Sequence, residues 1–412
     1  LGISTVLTGN EWIGWMNDLI IFVLLVGILL HNFAQDTGWN FGKYLAEIVA
    51  AVCGAVCFIG KPFADGGAFY RSKKTGESHA GWYVLIGICA AVPCLMVLVL
   101  LLMSADMVFA DLLVRFAGVF RFPVKLLRIL LMLVFGFLSS YCGVRYVQKH
   151  AADIKPSAGK TAEPLIAIAF TAPIAVLYLL FSAIQIVYLF IGNMQLPAGV
   201  TYAEYARRGF FQLLFVCVLN LAAVLFIQSY FKENRVLKAL LLAISGCTLI
   251  MTASSACRML LYIRAYQLTF LRVSVLVALA VIALLMAGVI AKIVKPQFPL
   301  FRYGFVLVGA VYLVFSFSHV DYFIAAYNLT HTSWEASGEE TVDYSYLYTL
   351  STDAAPAIEK YAGKSGAADY RKQGWYQLYC EANEEALNET GLRTYNVSHA
   401  VAKQLLMEDN RE

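Results

Sequence analysis

The sequence predicts an all-α integral membrane protein: about nine transmembrane helices followed by a small helical extramembrane C-terminal domain. Three observations carry this. The 412 residues are 60% hydrophobic and 14% charged, whereas a soluble domain carries roughly 25% charged residues. Nine apolar stretches approach or exceed the length of about 20 residues that crosses a hydrocarbon core. From His331 onward the composition reverses. Residues 1–330 carry a net +11 and residues 331–412 a net −7, which together make the chain's +4.

The nine stretches are 15–34, 44–60, 81–103, 122–147, 164–191, 208–230, 237–263, 271–294 and 300–318. The stretch 44–60 is the least secure in length, and 164–191 is long enough to tilt. Pro93 and Pro173 lie inside their spans, where proline kinks a helix rather than ending it. Alternate loops differ in positive charge, fourteen Lys and Arg on one face against seven on the other. That bias marks the richer face as cytoplasmic. An odd number of spans then leaves residues 331–412 outside the cytoplasm. The chain begins with Leu1 rather than methionine, so a missing or processed N-terminus is expected.

The acidic C-terminal segment has no span-length apolar run and reads as three short helices. Asp353 is positioned to cap a helix through AAPAIEKY, with Pro356 in its first turn. DYRKQGWYQLYCEANEEAL repeats apolar positions at three- and four-residue steps. Asn396 or Ser398 can cap a last helix. The domains expected are therefore 1–330, a polytopic bundle, and 331–412, an acidic helical module.

Few catalytic patterns are on offer. Eight of the nine cysteines lie in apolar runs, no C-x-x-C occurs and the six histidines are scattered, which argues against a zinc site or a disulfide scaffold. No phosphate-binding loop, nucleophile elbow or H-E-x-x-H is present. No cofactor, metal or nucleic-acid partner is expected. Asn-x-Ser/Thr triplets at Asn328, Asn388 and Asn396 carry little weight.

The polar groups worth following sit at or inside span ends. In EYARRGFFQLLFVCVLNL, Glu204 and Arg208 stand four apart, in the order that favours an ion pair. Arg207 and Arg208 either anchor the helix at headgroup level or bind an anionic group arriving from outside. In SGCTLIMTASSACRMLLYIRAYQLTFLR, Ser245, Thr248, Thr252, Ser255, Arg258, Tyr262 and Tyr266 share one sector of a helix. Small hydroxyl residues there suit close helix packing. Arg258 is a cation at a costly depth, so it needs a partner, water or a cavity. Asp106 either caps the next helix or pairs with Arg258, and Asp111 pairs with Arg115 four residues on. Asp321 and Asn328, seven apart, share one face of a helix whose aromatic residues suit the membrane interface. Lys43 with Glu47 reads as a boundary pair, or Glu47 as an intramembrane functional candidate, and Asp18 is read the same two ways.

Four runs, YAEYARRGFFQLL, RMLLYIRAYQLTFLR, HVDYFIAAYNL and YLYTLSTDAAPAIEKY, occur in an order that resembles a bacterial multi-pass membrane family catalogued as domain of unknown function 4173. The resemblance covers roughly residues 100–400. It implies a plasma-membrane bundle followed by a small helical domain, and it supplies no function. Members of that family usually have glycine where this chain has Gln267, which puts a tight turn after Tyr266 in question. The resemblance and topology together place the motifs near Arg208, Arg258, Asp321 and Asp353 on one face.

Three function classes follow. The first is a non-enzymatic cell-envelope module, a sensor or an assembly partner, touching membrane lipids and an envelope protein. The second is a transporter or flippase with a polar site around Arg258. The third is an outer-leaflet lipid-modifying enzyme. The candidate cluster for any of them is Glu204, Arg207, Arg208, Arg258, Tyr262, Asp106 and Asp321.

Overall fold

The computed structural model describes residues 1–34, 36, 39, 41–73, 95, 98–99, 102–103, 106, 109, 124–150, 160–187, 210–331, 333–334, 340–341, 344–361, 374–388, 391 and 394–408. It forms two units, one of residues 1–22 and 158–412 and the other of residues 23–157. In chain order come α1 (Gly2–Leu7), α2 (Glu11–Phe33), α3 (Phe41–Cys57), α4 (Lys61–Lys73), α5 (Val124–His150), α6 (Pro164–Gln185), α7 (Phe210–Tyr230), α8 (Arg235–Tyr266), α9 (Phe270–Val294), α10 (Leu300–Phe317) and α11 (Val320–Thr330). After them come the two-residue strands β1 (Ser333–Trp334) and β2 (Glu340–Thr341), then α12 (Tyr344–Leu347), α13 (Ala355–Tyr361), α14 (Gly374–Ala382), α15 (Glu384–Asn388) and α16 (Val397–Lys403).

The protein is an all-α membrane protein. Among the described residues six helices are long and apolar enough to cross a bilayer: α2, α6, α7, Arg235–Arg264 of α8, α9 and α10. The count becomes seven if Phe41–Cys57 and Lys61–Ala68, bent by 62° at their break, form one span. The six coincide with six of the nine expected stretches, and the bent pair overlaps a seventh, 44–60. The expected span 122–147 falls on α5, 27 residues long. The expected span 81–103 lies largely outside the described residues, as do Pro93, Asp111 and Arg115. Helix α6 runs on through Pro173.

Local chemistry sets the helix ends of the first unit. Asn234 caps α8 by accepting the backbone N–H groups of Val236 (2.8 Å) and Leu237 (3.5 Å), a contribution of about 1 kcal/mol. Thr269 caps α9 through Arg272 N–H. Helices α6 to α9 share a core of Ala167, Val224, Leu241 and Met286. Across them runs a polar ladder. Tyr178 Oη donates to Asn220 Oδ1 (2.8 Å), and Asn220 Nδ2 donates to Thr248 Oγ1 (3.0 Å). Thr248 and Thr252 donate to carbonyls four residues back. This is the close packing by hydroxyl residues that the stripe on α8 suggested.

A second core joins the end of the bundle to the C-terminal helices. Ile13, Val320 and Ile324 pack with Leu347, Ile358 and Tyr379, all at most 3% exposed. The core thus runs straight through the compositional change at His331.

In the unit of residues 23–157, α3 packs on α5 around Ala51 and Val147. Gly54 admits the Tyr146 ring, which a Cβ would meet at 2.2 Å. Asp65 on α4 binds Arg145 (2.6 Å) and Tyr141 (2.9 Å) on α5. Lys43 lies over the Trp39 ring at 4.9 Å.

Candidate functional site

Among the described residues, a dense polar cluster outside the spans is built from four separated pieces of sequence: Thr8–Asn10 ahead of α2, His319–Asp321 at the start of α11, Ser351–Asp353 ahead of α13, and Asn396–Ser398 at the start of α16. Asp353 lies in a single 3-10 turn, Thr352–Ala354. Its carboxylate accepts Gly9 N–H at 2.8 Å and Thr8 Oγ1–H at 2.5 Å. His319 Nδ1 lies 3.4 Å from Asp353 Oδ1, with the imidazole side chain 44% exposed and the carboxylate buried. His319 itself is left-handed (φ 46°, ψ 60°), a region that histidine enters more readily than most residues.

Asp321 is 2% exposed. Its Oδ2 accepts Asn10 Nδ2 (2.9 Å), Ser351 N–H (3.2 Å) and Ser351 Oγ–H (2.6 Å). Among the described residues its Oδ1 has no hydrogen-bond partner. Burial holds the Asp321 pKa above the ordinary carboxylate range, and the nearby Asp353 charge adds to the shift. The donors from Ser351 and Asn10 act against it. Burial likewise pushes the Tyr379 phenol well above its usual pKa, and that hydroxyl donates to Ser351 O at 2.9 Å. Asn396 closes the cluster. Its Oδ1 caps α16 at Ser398 N–H, and its Nδ2 donates to Thr5 O (3.2 Å) and Thr8 O (2.7 Å).

Chemically, the arrangement spends the carboxylate oxygens of Asp353 and Asp321 and the amide N–H groups of Asn396 on holding residues 5–10 against the C-terminal helices. A buried carboxylate that takes several N–H and O–H donors is strongly held, and losing one partner strands the other without water. Among the described residues no group of three or more His, Cys, Asp or Glu side chains could hold a metal.

Of the predicted site residues that are described, Asp321 alone belongs to this cluster. It is buried within the HVDYFIAAYNL run, whose Phe323 is 60% exposed. Arg258 and Tyr262 lie on α8. The Arg258 guanidinium, 8% exposed, donates to Gln185 Oε1 (3.4 Å), which also accepts Ser254 Oγ–H (2.7 Å). The Tyr262 ring carries the Arg272 guanidinium at 4.3 Å. Asp106, in the other unit, is exposed and accepts Phe109 N–H at 3.4 Å, the bond of a helix cap. Glu204, Arg207 and Arg208 lie outside the described residues.

Asp353 also departs from expectation, since its oxygens serve Thr8 and Gly9 rather than α13. Sequence reasoning passed over Thr8, Gly9, Asn10 and His319. The visible signal was a short Thr-Gly-Asn turn directly ahead of the first span.

Gln267 settles the question of the tight turn. It takes φ 62°, ψ −175°, a conformation that glycine alone adopts easily. The fold holds it there. Gln267 Nε2 donates to Asn328 O (3.3 Å) and His331 O (2.7 Å). The Asn328 amide grips both backbone groups of Leu268 at 2.9 Å.

Bundle and cluster together define a multi-span α-helical membrane protein whose residues 5–10, just ahead of α2, are clamped by its C-terminal helices. The chain belongs to the family catalogued as Domain of unknown function (DUF4153), whose model matches residues 1–361. The family number 4173 suggested by the four runs is thereby corrected. No curated protein and no solved structure matches the chain.

Proposed function

We propose that the protein is a non-enzymatic module of a bacterial plasma membrane, a sensor or an assembly partner, whose segment from His331 onward lies outside the cytoplasm. The observation that carries this reading is the clamp itself. Asp353, Asp321 and Asn396 direct their bonds inward to residues 5–10 and 351, so the cluster supports a rigid platform rather than an open reactive centre. Exposed Leu378, Tyr395 and Val401 on the C-terminal segment are available to an envelope protein partner.

Two measurements test it. A reporter fused after Glu412 should be active only outside the cytoplasm. A photocrosslinker placed at Leu378 or Tyr395 in the native host should give one discrete protein adduct. Cytoplasmic reporter activity, or adducts to lipid alone, would overturn the reading.

A second reading, transport or lipid flipping, is favoured by the buried polar ladder from Tyr178 through Asn220 to Thr248 and by Gln185, Ser254 and Arg258 deep in the spans. Flux of solute or labelled lipid in proteoliposomes, lost in Arg258→Ala, would move the assignment there. The lipid-modifying alternative rests on arginines near Tyr205 and Tyr262; Arg207 and Arg208 lie outside the described residues, and Arg258 donates to Gln185.

A further inference from the structure

The end of the first unit opposite the clamp carries an unusual surface. There α6 starts, α7 ends, α8 starts, α9 ends and α10 starts, and these five ends share the core residues Ala167, Ile227, Leu237 and Ile293 with Leu300 against them. The connections are tied together by backbone bonds. Thr161 and Ala162 N–H donate to Tyr230 O (3.1 and 3.2 Å), and Lys232 N–H donates to Ala162 O (3.0 Å).

Charge on this platform is one-sided. Among the described residues, Lys160, Lys232, Arg235, Lys238, Lys292, Lys295 and Arg302 face two acids, Glu163 and Glu233. Both acids are committed. Glu163 binds Lys232 (2.6 Å), while Glu233 binds Lys160 (2.7 Å) and Lys238 (2.5 Å). Those bonds, Lys160 first, pull the Glu233 pKa down to about 2, so it stays ionised and occupied. Lys292 Nζ donates to Pro296 O (2.6 Å). Arg235, Lys295 and Arg302 are exposed and have no ion pair among the described residues.

Two tyrosines lie on the helices that end here. Tyr230 is 48% exposed and stacks on Phe226. Tyr303 packs against Phe298 and donates to Leu284 O at 2.9 Å. Its ring fits because Gly288 has no side chain; a Cβ there would meet it at 2.3 Å. An exposed amphipathic ring such as that of Tyr230 suits the headgroup level of a bilayer, whereas the Tyr303 hydroxyl turns inward to a carbonyl ten residues before the end of α9. Unpaired Arg and Lys at that depth attract acidic headgroups, and guanidinium forks suit phosphate oxygens.

We propose that this end of the bundle is a binding surface for the phosphate headgroups of anionic phospholipids, held by Arg235, Lys295 and Arg302 beside the Tyr230 ring. The inference is independent of the envelope-module reading, because lipid selectivity is read on the purified chain without reference to a partner or an orientation.

The test uses the full chain in phosphatidylcholine nanodiscs, doped with phosphatidylglycerol or supplied with inorganic phosphate. Thermal stability and lipid retained in native mass spectrometry are measured. Phosphatidylglycerol should raise the melting temperature and be retained roughly tenfold over phosphatidylcholine, as expected for several basic side chains at one surface. The triple variant R235Q/K295Q/R302Q should lose that preference, while Arg264→Gln near the other end of α8 should keep it. Equal retention of the two lipids would overturn the proposal, as would an undiminished preference in the triple variant. Inorganic phosphate matching the lipid would also overturn it, replacing a headgroup surface with a free-anion site.

Discussion

Gly9 N–H donates to Asp353 Oδ1 at 2.8 Å, joining residues 344 positions apart. At this contact the chain start passes so close to Thr352 that a Cβ on Gly9 would lie 2.0 Å from Thr352 Oγ1. The glycine is therefore required by space, and it lets the backbone approach the carboxylate.

Gly9→Ala should lower stability by about 1–3 kcal/mol, the usual cost of forcing an extra group into a packed site. Thermal unfolding in detergent reads it. The cost should shrink in a Thr352→Ala background, because the clashing hydroxyl is gone. An identical cost in both backgrounds would refute the close-approach account.

Asp353→Ala should leave Thr8 Oγ1–H and Gly9 N–H buried without their acceptor, a loss of about 1–3 kcal/mol. Hydrogen exchange at residues 5–10 should speed up more than exchange within α9. A uniform change across the chain would mean that the carboxylate does not clamp this segment in particular.

For Asp321 the sign of the pH dependence is unusual. Burial raises its folded-state pKa above the ordinary 3.8, so the folded chain holds the proton more firmly than the unfolded one. Stability from this group is then greatest below 3.8 and falls as pH rises from 3.8 through the raised folded value. Asp321→Asn should remove that slope. The wild-type melting temperature should gain on the variant's as pH drops from 7 toward 4. A gain in the opposite direction would show that the carboxylate is stabilised as an anion.

At Gln267 the ordinary helix ranking should invert. Alanine keeps the strain of φ 62° and loses the side-chain bonds, whereas glycine loses the bonds but relieves the strain. Gln267→Gly should therefore be more stable than Gln267→Ala by about 1 kcal/mol. Alanine equal to or better than glycine would contradict the strained turn.

Much of the bundle was legible because a span is a local property. Each of α2, α6, α7, α8, α9 and α10 is a continuous apolar run, and twenty such residues in lipid can satisfy their backbone only as a helix. The hydroxyl stripe on α8 was legible for a similar reason, since a 3.6-residue period places Thr248, Thr252 and Ser255 together before any fold is known. Asp321 stood out as a carboxylate beside a span. Its partners did not, because Asn10 and Ser351 are short polar residues of the kind found in any turn. Asp353 resembled an ordinary helix cap for the same reason.

By itself, the sequence determined that the chain is membrane-embedded, where most of its spans lie and which side chains line the faces of α8, all of which depend on neighbours within a turn or two. Only the tertiary structure decided that Thr8, Gly9 and Asn10 close on Asp353 and Asp321, and that Gln267 takes up a glycine's conformation. The physical reason is range. Hydrophobic periodicity is written in adjacent residues, whereas a buried carboxylate is satisfied by whichever donors the packed core brings within about 3 Å, however distant they are along the chain.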